Sequence, residues 1–253
     1  MPGLSSVIFV PDDTAKTGYS RPMMLQSVMG TPLLCWLVRA LIECGVGRFF
    51  LVCHEKMRES ALACFPQDVY VCCAEGEDTS DQLHVFLSTA DQDDADVLVV
   101  TGPCVILPFS PEELDFSAPP APSGMTSVRC RTLMDALDES FIFTDFLKAH
   151  GVAYTDRDGV FAVSSLEELA EWQPILRRGV LYRHAAQGVE IWDYDNAYLE
   201  PDVRVGRGTA ILPGTILRGR TVIGEDCVIG PNAYLENTCV GDRTTVNSSQ
   251  LYD

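Results

Sequence analysis

Residues 197–246 read AYLEPDVRVGRGTAILPGTILRGRTVIGEDCVIGPNAYLENTCVGDRTTV, and they are written in sixes. Aliphatic residues recur at Leu199, Val205, Ile211, Leu217, Ile223, Ile229 and Leu235. Two places before each stands a small or β-branched residue: Ala197, Val203, Thr209, Thr215, Thr221, Cys227 and Ala233. Glycine follows the aliphatic position at Gly206, Gly224, Gly230 and, after a one-residue slip, Gly241. No α-helix produces this period, because its apolar stripe recurs every three or four residues. Six residues suit a parallel β-helix, in which each short strand turns a corner and its aliphatic side chain points into a narrow core. The small residue fits the crowded corner, and the glycine is expected to relieve a turn of positive φ. Cys227, at a small position, is expected in the core.

Outside this stretch the chain alternates. Ser6–Val10 (SVIFV), Arg48–Val52 (RFFLV), Val69–Cys73 (VYVCC) and Val97–Val100 are short apolar runs of strand type. Between them, Leu33–Cys44 carries apolar residues at helical spacing and closes on Gly45 and Gly47, while Met57–Phe65 and Thr79–Ala90 also read as helices. Strand–helix alternation with buried strands predicts a doubly wound, mostly parallel α/β sheet. After Gly102 the pattern loosens. Ser117–Ser123 reads as a proline-rich link, 132–137 and 140–150 as helices, and 160–163 as a strand. A helix from Ser164 or Ser165, its N-cap, runs with a break at Pro174 to Ala186. The expected division is therefore 1–188, an α/β domain with a connecting helix, and 189–253, a short β-helix of about three coils.

The formal charge of −18 disfavours nucleic acid and anionic membrane as partners. No apolar run reaches bilayer length, and MPGLSSVIFV lacks the basic flank of a signal peptide, so a cytoplasmic location is expected. The ten cysteines, mostly within apolar segments, read as reduced, buried thiols rather than a disulfide frame, and no C-x-x-C supports a zinc site.

The arrangement resembles the bacterial bifunctional N-acetylglucosamine-1-phosphate uridyltransferase / glucosamine-1-phosphate acetyltransferase family. The residues that carry the resemblance are Val189-Glu190-Ile191-Trp192-Asp193, Asn196-Ala197-Tyr198-Leu199, the run Val222–Pro231, the paired Arg177-Arg178 before the repeats, and Val28–Leu34 (VMGTPLL). On these motifs it extends over most of the chain and is only architectural from Gly102 to Val163. It implies a nucleotidyltransferase-like domain, shortened here, followed by a left-handed β-helix that trimerises. The chemistry implied is phosphoryl transfer from UTP to a sugar 1-phosphate. Backbone N–H groups of a glycine-rich loop, an arginine and a lysine hold the phosphates, and Mg2+ sits on an Asp and an Asn.

Laid on that pattern, the loop becomes Phe9-Val10-Pro11-Asp12-Asp13-Thr14-Ala15-Lys16, then Pro22-Met23. Asp12 and Thr14 replace both glycines, Pro11 removes an N–H donor, Lys16 stands for the arginine and Met23 for the lysine. The base-contacting segment falls on Ser80 and Asp81, with His84 one place late, and the two metal-ligand positions fall on Pro103 and Ser164. The expectation is a nucleotidyltransferase-like protein that has lost uridyltransferase catalysis and works as a binding or scaffolding subunit, with no resident metal. The alternative is an active nucleotidyltransferase using UTP and Mg2+ through rearranged ligands, Lys16 and Asp12 or Asp13 among them. Too few coils follow for an acetyltransferase site. His84 is read as structural, 91–96 (DQDDAD) as a solvated loop, and Arg177, Arg178 and Arg183 as surface charge on an exposed face.

Overall fold

Val7, Ile8, Phe49, Phe50, Leu51, Val99 and Val100 are fully buried, and consecutive strand residues point to opposite faces. These strands therefore need a covered surface on both sides. The computed structural model describes residues 4–75, 79–89, 95–107, 121–137 and 142–252. Its element order is β1 (Leu4–Val10), α1 (Thr14–Thr17), β2 (Ser27–Val28), β3 (Thr31–Pro32), α2 (Leu33–Glu43), β4 (Val46–Cys53), α3 (Glu55–Leu62), β5 (Tyr70–Ala74) and α4 (Thr79–Ser88). Then come β6 (Asp96–Val100), β7 (Cys104–Ile106), β8 (Pro122–Arg129), α5 (Cys130–Leu137), α6 (Phe143–His150), β9 (Val152–Thr155), β10 (Val160–Ala162) and α7 (Leu166–Ala186).

The main sheet runs β5-β4-β1-β6-β8-β9. Its first four strands are parallel, while β8 and β9 are antiparallel to their neighbours. One core cluster joins Ile8, Phe49, Leu51 and Val100 to Leu37 and Leu41 of α2 and Met57 of α3. The other joins Val7, Phe50, Val97 and Val99 to Leu83 and Phe86 of α4, Leu133 of α5 and Phe146 of α6. The five strands expected in this domain are all present, the fifth as β10.

Three expectations change. The polar segment after β1 contains a helical turn, α1. Pro122 and Ser123 of the expected link open strand β8; residues 117–120 lie outside the described ones. Proline is tolerated at a strand's first residue, and the Ser123 hydroxyl donates to the Tyr154 carbonyl at 2.7 Å across to β9. Neither β8 nor β9 carries the apolar run that marks a buried strand. Finally, α7 runs through Pro174 without a break. Pro174 and Ala170 are both exposed, so the carbonyl that loses its N–H partner faces water. At its start the Ser165 Oγ accepts the Glu168 N–H at 3.1 Å, and the Glu168 carboxylate takes the Ser164 N–H at 2.7 Å.

The repeats form three flat faces. Glu190–Ile191, Ala210–Ile211, Val228–Ile229 and Thr245–Val246 make one, and Tyr198–Leu199, Ile216–Arg218, Tyr234–Glu236 and Gln250–Tyr252 the second. Arg204–Val205, Val222–Ile223 and Cys239–Val240 make the third, so three coils are complete and a fourth has two sides. Leu199 pairs with Leu217 and Leu217 with Leu235, a spacing of eighteen residues. The slip appears where Ile223 pairs with Val240, one residue early. Aliphatic positions from Leu199 to Val246 are buried, as is Cys227. The corner threonines are buried too, and their hydroxyls close on backbone: Thr209 to the Gly224 carbonyl at 2.8 Å, Thr215 to that of Ile229 at 3.1 Å, Thr221 to that of Arg218 at 2.6 Å. A buried hydroxyl is tolerated there because it is hydrogen-bonded.

The glycines act differently from expectation. Of the four that follow aliphatic positions, only Gly230 has positive φ. The left-handed residues instead include Asp226, Asn232, Asn237, Arg243 and Ser248, each just before a corner residue. Gly206 is required by stacking: a Cβ there would lie 2.6 Å from the Gly224 carbonyl carbon and oxygen.

The chain divides into two compact units, Met1–Val28 with Pro32–Glu168, and Met29–Thr31 with Leu169–Asp253, so most of α7 counts with the β-helix. The sequence reading sets its boundary later, at residue 188. Among the described residues no helix is long and apolar enough to cross a membrane.

Candidate functional site

In the first unit the winding of the sheet reverses between β1 and β6. The chain goes outward from β1 to β4 and β5, then returns to place β6 on the other side of β1. In open α/β sheets the ligand crevice lies at such a reversal, outside the carboxyl ends of the strands. Here those ends carry Pro11-Asp12-Asp13 after β1 and Thr101-Gly102-Pro103 after β6.

The loop after β1 is held by its own carboxylates. Asp12 Oδ1 accepts from the Thr14 hydroxyl at 2.6 Å and from the Thr14 N–H at 3.3 Å. Asp13 Oδ1 accepts the Met23 N–H at 3.0 Å. The Lys16 and Thr17 N–H groups donate to the Asp13 carbonyl at 3.0 and 2.9 Å, and that of Gly18 to the Thr14 carbonyl at 2.9 Å. The two Thr14 hydrogen bonds hold the Asp12 carboxyl below the usual range, with smaller help from the charges of His54 and Lys56. His54 caps α3, its Nδ1 accepting the Lys56 N–H at 3.2 Å, and lies 3.9 Å from the Glu75 carboxylate.

Each residue singled out from sequence has a definite place. Phe9 pairs with Val52 and packs on Phe143 with ring centroids 5.0 Å apart, while Val10 is core. Pro11 and Lys16 are exposed. Met23 is 1% exposed and belongs to the core, so the position of the resemblance's lysine offers no group to a phosphate. Ser80 and Asp81 lie exposed in the first turn of α4. Pro103 and Ser164 come together, since the Val163 N–H donates to the Pro103 carbonyl at 2.9 Å beside the β7–β10 pair. Among the described residues no group of three or more His, Cys, Asp or Glu side chains is placed to hold a metal ion. The Tyr19 hydroxyl, which the sequence reading passed over, accepts the Leu166 N–H at 3.4 Å and links this loop to the start of α7. No local pattern marks a contact across 147 residues.

In the second unit Arg177 departs from the surface reading. Its side chain is only 11% exposed, lies over the Tyr198 ring at 5.0 Å and sits 3.5 Å from Asp195. Arg178 reaches the same carboxylate at 2.8 Å. Arg183 donates to the Pro201 carbonyl at 3.2 Å. These arginines pin α7 to the first coil, consistent with the guanidinium's capacity for stacking and forked hydrogen bonds.

Against known proteins, the bifunctional protein GlmU of Alkaliphilus oremlandii is 45% identical over 92 residues, 36% of this chain and 20% of that one. That of Rubrobacter xylanophilus is 48% identical over 87 residues, 34% of this chain and 19% of its own. Over that stretch the chain is GlmU-like. The GlmU protein of Geobacillus sp. gives 44% over 85 residues, 34% of this chain and 18% of its own. The chain thus spans about a fifth to a quarter of the relatives it matches, and the aligned part is about a third to a half of this chain rather than most of it. No protein-family model matches. The structure of the inositol-1-phosphate CTP transferase from T. maritima overlaps 43% of this chain and 46% of its own at 18% identity, with a TM-score of 0.32.

Proposed function

We propose that this chain is a sugar-nucleotidyltransferase-like protein that does not transfer nucleotidyl groups and serves as a binding or scaffolding subunit. One observation carries the reading. The loop at the sheet's reversal already carries two anions, the Asp12 and Asp13 carboxylates, on the N–H groups of Thr14 and Met23. A triphosphate arriving there meets occupied donors and like charge, and each like charge opposes it. The lysine position being the buried Met23 supports the same conclusion.

The scaffolding role falls to the β-helix, whose outer faces leave Val222 40% and Val228 37% exposed. Apolar side chains repeated on flat, adjacent faces favour association, and we infer a homotrimer through these faces. The ten cysteines, all free thiols, support a reducing compartment such as the cytoplasm.

The test is thermal stability of the purified chain with and without UTP, UDP-N-acetylglucosamine and Mg2+. A ligand at a hundred times its dissociation constant adds ~2.7 kcal/mol to stability. No shift is expected. A Mg2+-dependent shift with UTP that Lys16→Ala removes would overturn the proposal in favour of an active enzyme. Sedimentation of the wild type against Val228→Asp checks the assembly: a wild-type monomer would sink the trimer.

A further inference from the structure

Of the ten cysteines, two pairs bring sulfur against sulfur. Cys35 of α2 meets Cys64, just beyond α3, inside the core; the contact with Cys64 and burial drive the Cys35 thiol far up from its ordinary range. The second pair is differently placed. Cys53 is the last residue of β4, and Cys73 is the penultimate residue of β5. Leu51 pairs with Cys73, so Cys53 lies two residues farther along on the same face, and the two Sγ atoms stand 3.8 Å apart.

We propose that Cys53 and Cys73 form a reversible disulfide when the protein meets a hydroperoxide, tying the edge strand β5 to β4. A disulfide needs S–S of about 2.05 Å, so the sulfurs must close by about 1.8 Å. The sheet permits it: among the described residues β5 pairs with a strand on one side only, Cys53 ends β4 and Cys73 is one residue from the end of β5, so small shifts break few ladder bonds. Access is asymmetric. Cys73 is half-buried, whereas Cys53 is buried, and burial followed by the neighbouring Cys73 pushes its thiol up to about 12. Cys73 therefore attacks first, because the thiolate is the nucleophile and needs access. Its sulfur forms an S–O bond as the peroxide O–O bond breaks; the released hydroxide takes a proton and leaves as water. The Cys53 sulfur then attacks the sulfenic sulfur, the S–S bond forms, the S–O bond breaks, and the departing hydroxide carries off the Cys53 proton as a second water. Two thiols lose two electrons and the peroxide gains them.

The experiment treats the native chain with hydrogen peroxide at a stoichiometric dose, alkylates the remaining thiols, and maps peptides without reduction. The expected result is loss of two of the ten titratable thiols, one intrachain cross-link joining 53 to 73, and full recovery with dithiothreitol. Cys73→Ser and Cys53→Ser should each abolish the cross-link, while Cys44→Ser, at an exposed position, leaves it intact. Should buried Cys53 not tolerate serine, Cys73→Ser alone carries the test. A cross-link through Cys35 and Cys64, an interchain bond through exposed Cys44 or Cys239, sulfinic acid at Cys73 without a cross-link, or no reaction would each overturn the proposal.

Discussion

Gly206→Ala is the most informative single change in the β-helix. The added methyl would sit 2.6 Å from the carbonyl carbon and oxygen of Gly224 and 2.7 Å from the Glu225 nitrogen, all backbone atoms of the next coil. No side chain can swing away, so the coils must part by most of an ångström or the corner must deform. Parting them stretches the ladder bond from the Gly206 N–H to the Ile223 carbonyl, now 2.9 Å. Overpacking costs ~1–3 kcal/mol and a weakened hydrogen bond adds ~1 kcal/mol, giving a loss of ~2–4 kcal/mol. On a unit of this size that lowers Tm by roughly 8–30 °C. The control lies in the same structure. Gly241 follows an aliphatic residue as Gly206 does, its φ is not positive, and a Cβ there meets nothing within 4 Å. Gly241→Ala should stay within about 0.5 kcal/mol of wild type. The assay is urea unfolding in a Trp36→Phe background, where the emission comes from Trp172 and Trp192, both in the second unit. Equal destabilisation by the two substitutions would refute the stacking argument, because conformational preference alone would then explain both.

Further outcomes follow from individual contacts. His184 is 3% exposed, and burial, then the charge of Arg183, lowers its pKa to about 4. A histidine depressed in the folded state favours folding above its unfolded value near 6.5, and that stability, up to ~3 kcal/mol, is lost as pH falls from 6.5 through 4. Urea midpoints at pH 7 and 4.5 should therefore converge in His184→Leu relative to wild type; an unchanged gap would place the acid sensitivity elsewhere. Thr215→Val keeps the corner's shape but removes the hydroxyl bonded to the Ile229 carbonyl, so a loss of ~1 kcal/mol is expected by the same unfolding assay, and a gain would contradict it. Asp13→Ala leaves the Met23 N–H without its acceptor at the edge of the core. It should cost ~1–2 kcal/mol and speed hydrogen exchange at Met23, whereas unchanged exchange there would show that the loop is held by other bonds.

The period of six determined the β-helix by itself, because one residue in six pointing inward with a small neighbour two places earlier admits no competing regular structure. The parallel strands were equally legible, since SVIFV and RFFLV must be buried on both faces and helices of the right period lie between them. The tertiary structure decided the rest. Strands β8 and β9 owe their existence to a neighbour, β6, rather than to their own apolar content. The helix α7 passes Pro174 because that turn faces water, a property of its packing. Gly206 is glycine because of a backbone eighteen residues away, not because of its own dihedral angles. The candidate site divides along the same line. The absence of the glycines and lysine that the resemblance calls for is written in Pro11–Met23. That Asp12 and Asp13 occupy the loop's own donors, that Met23 is core, and that Tyr19 reaches Leu166 depend on atoms far apart in the chain. Local pattern reports which face a residue turns inward; only the folded chain reports what it meets there.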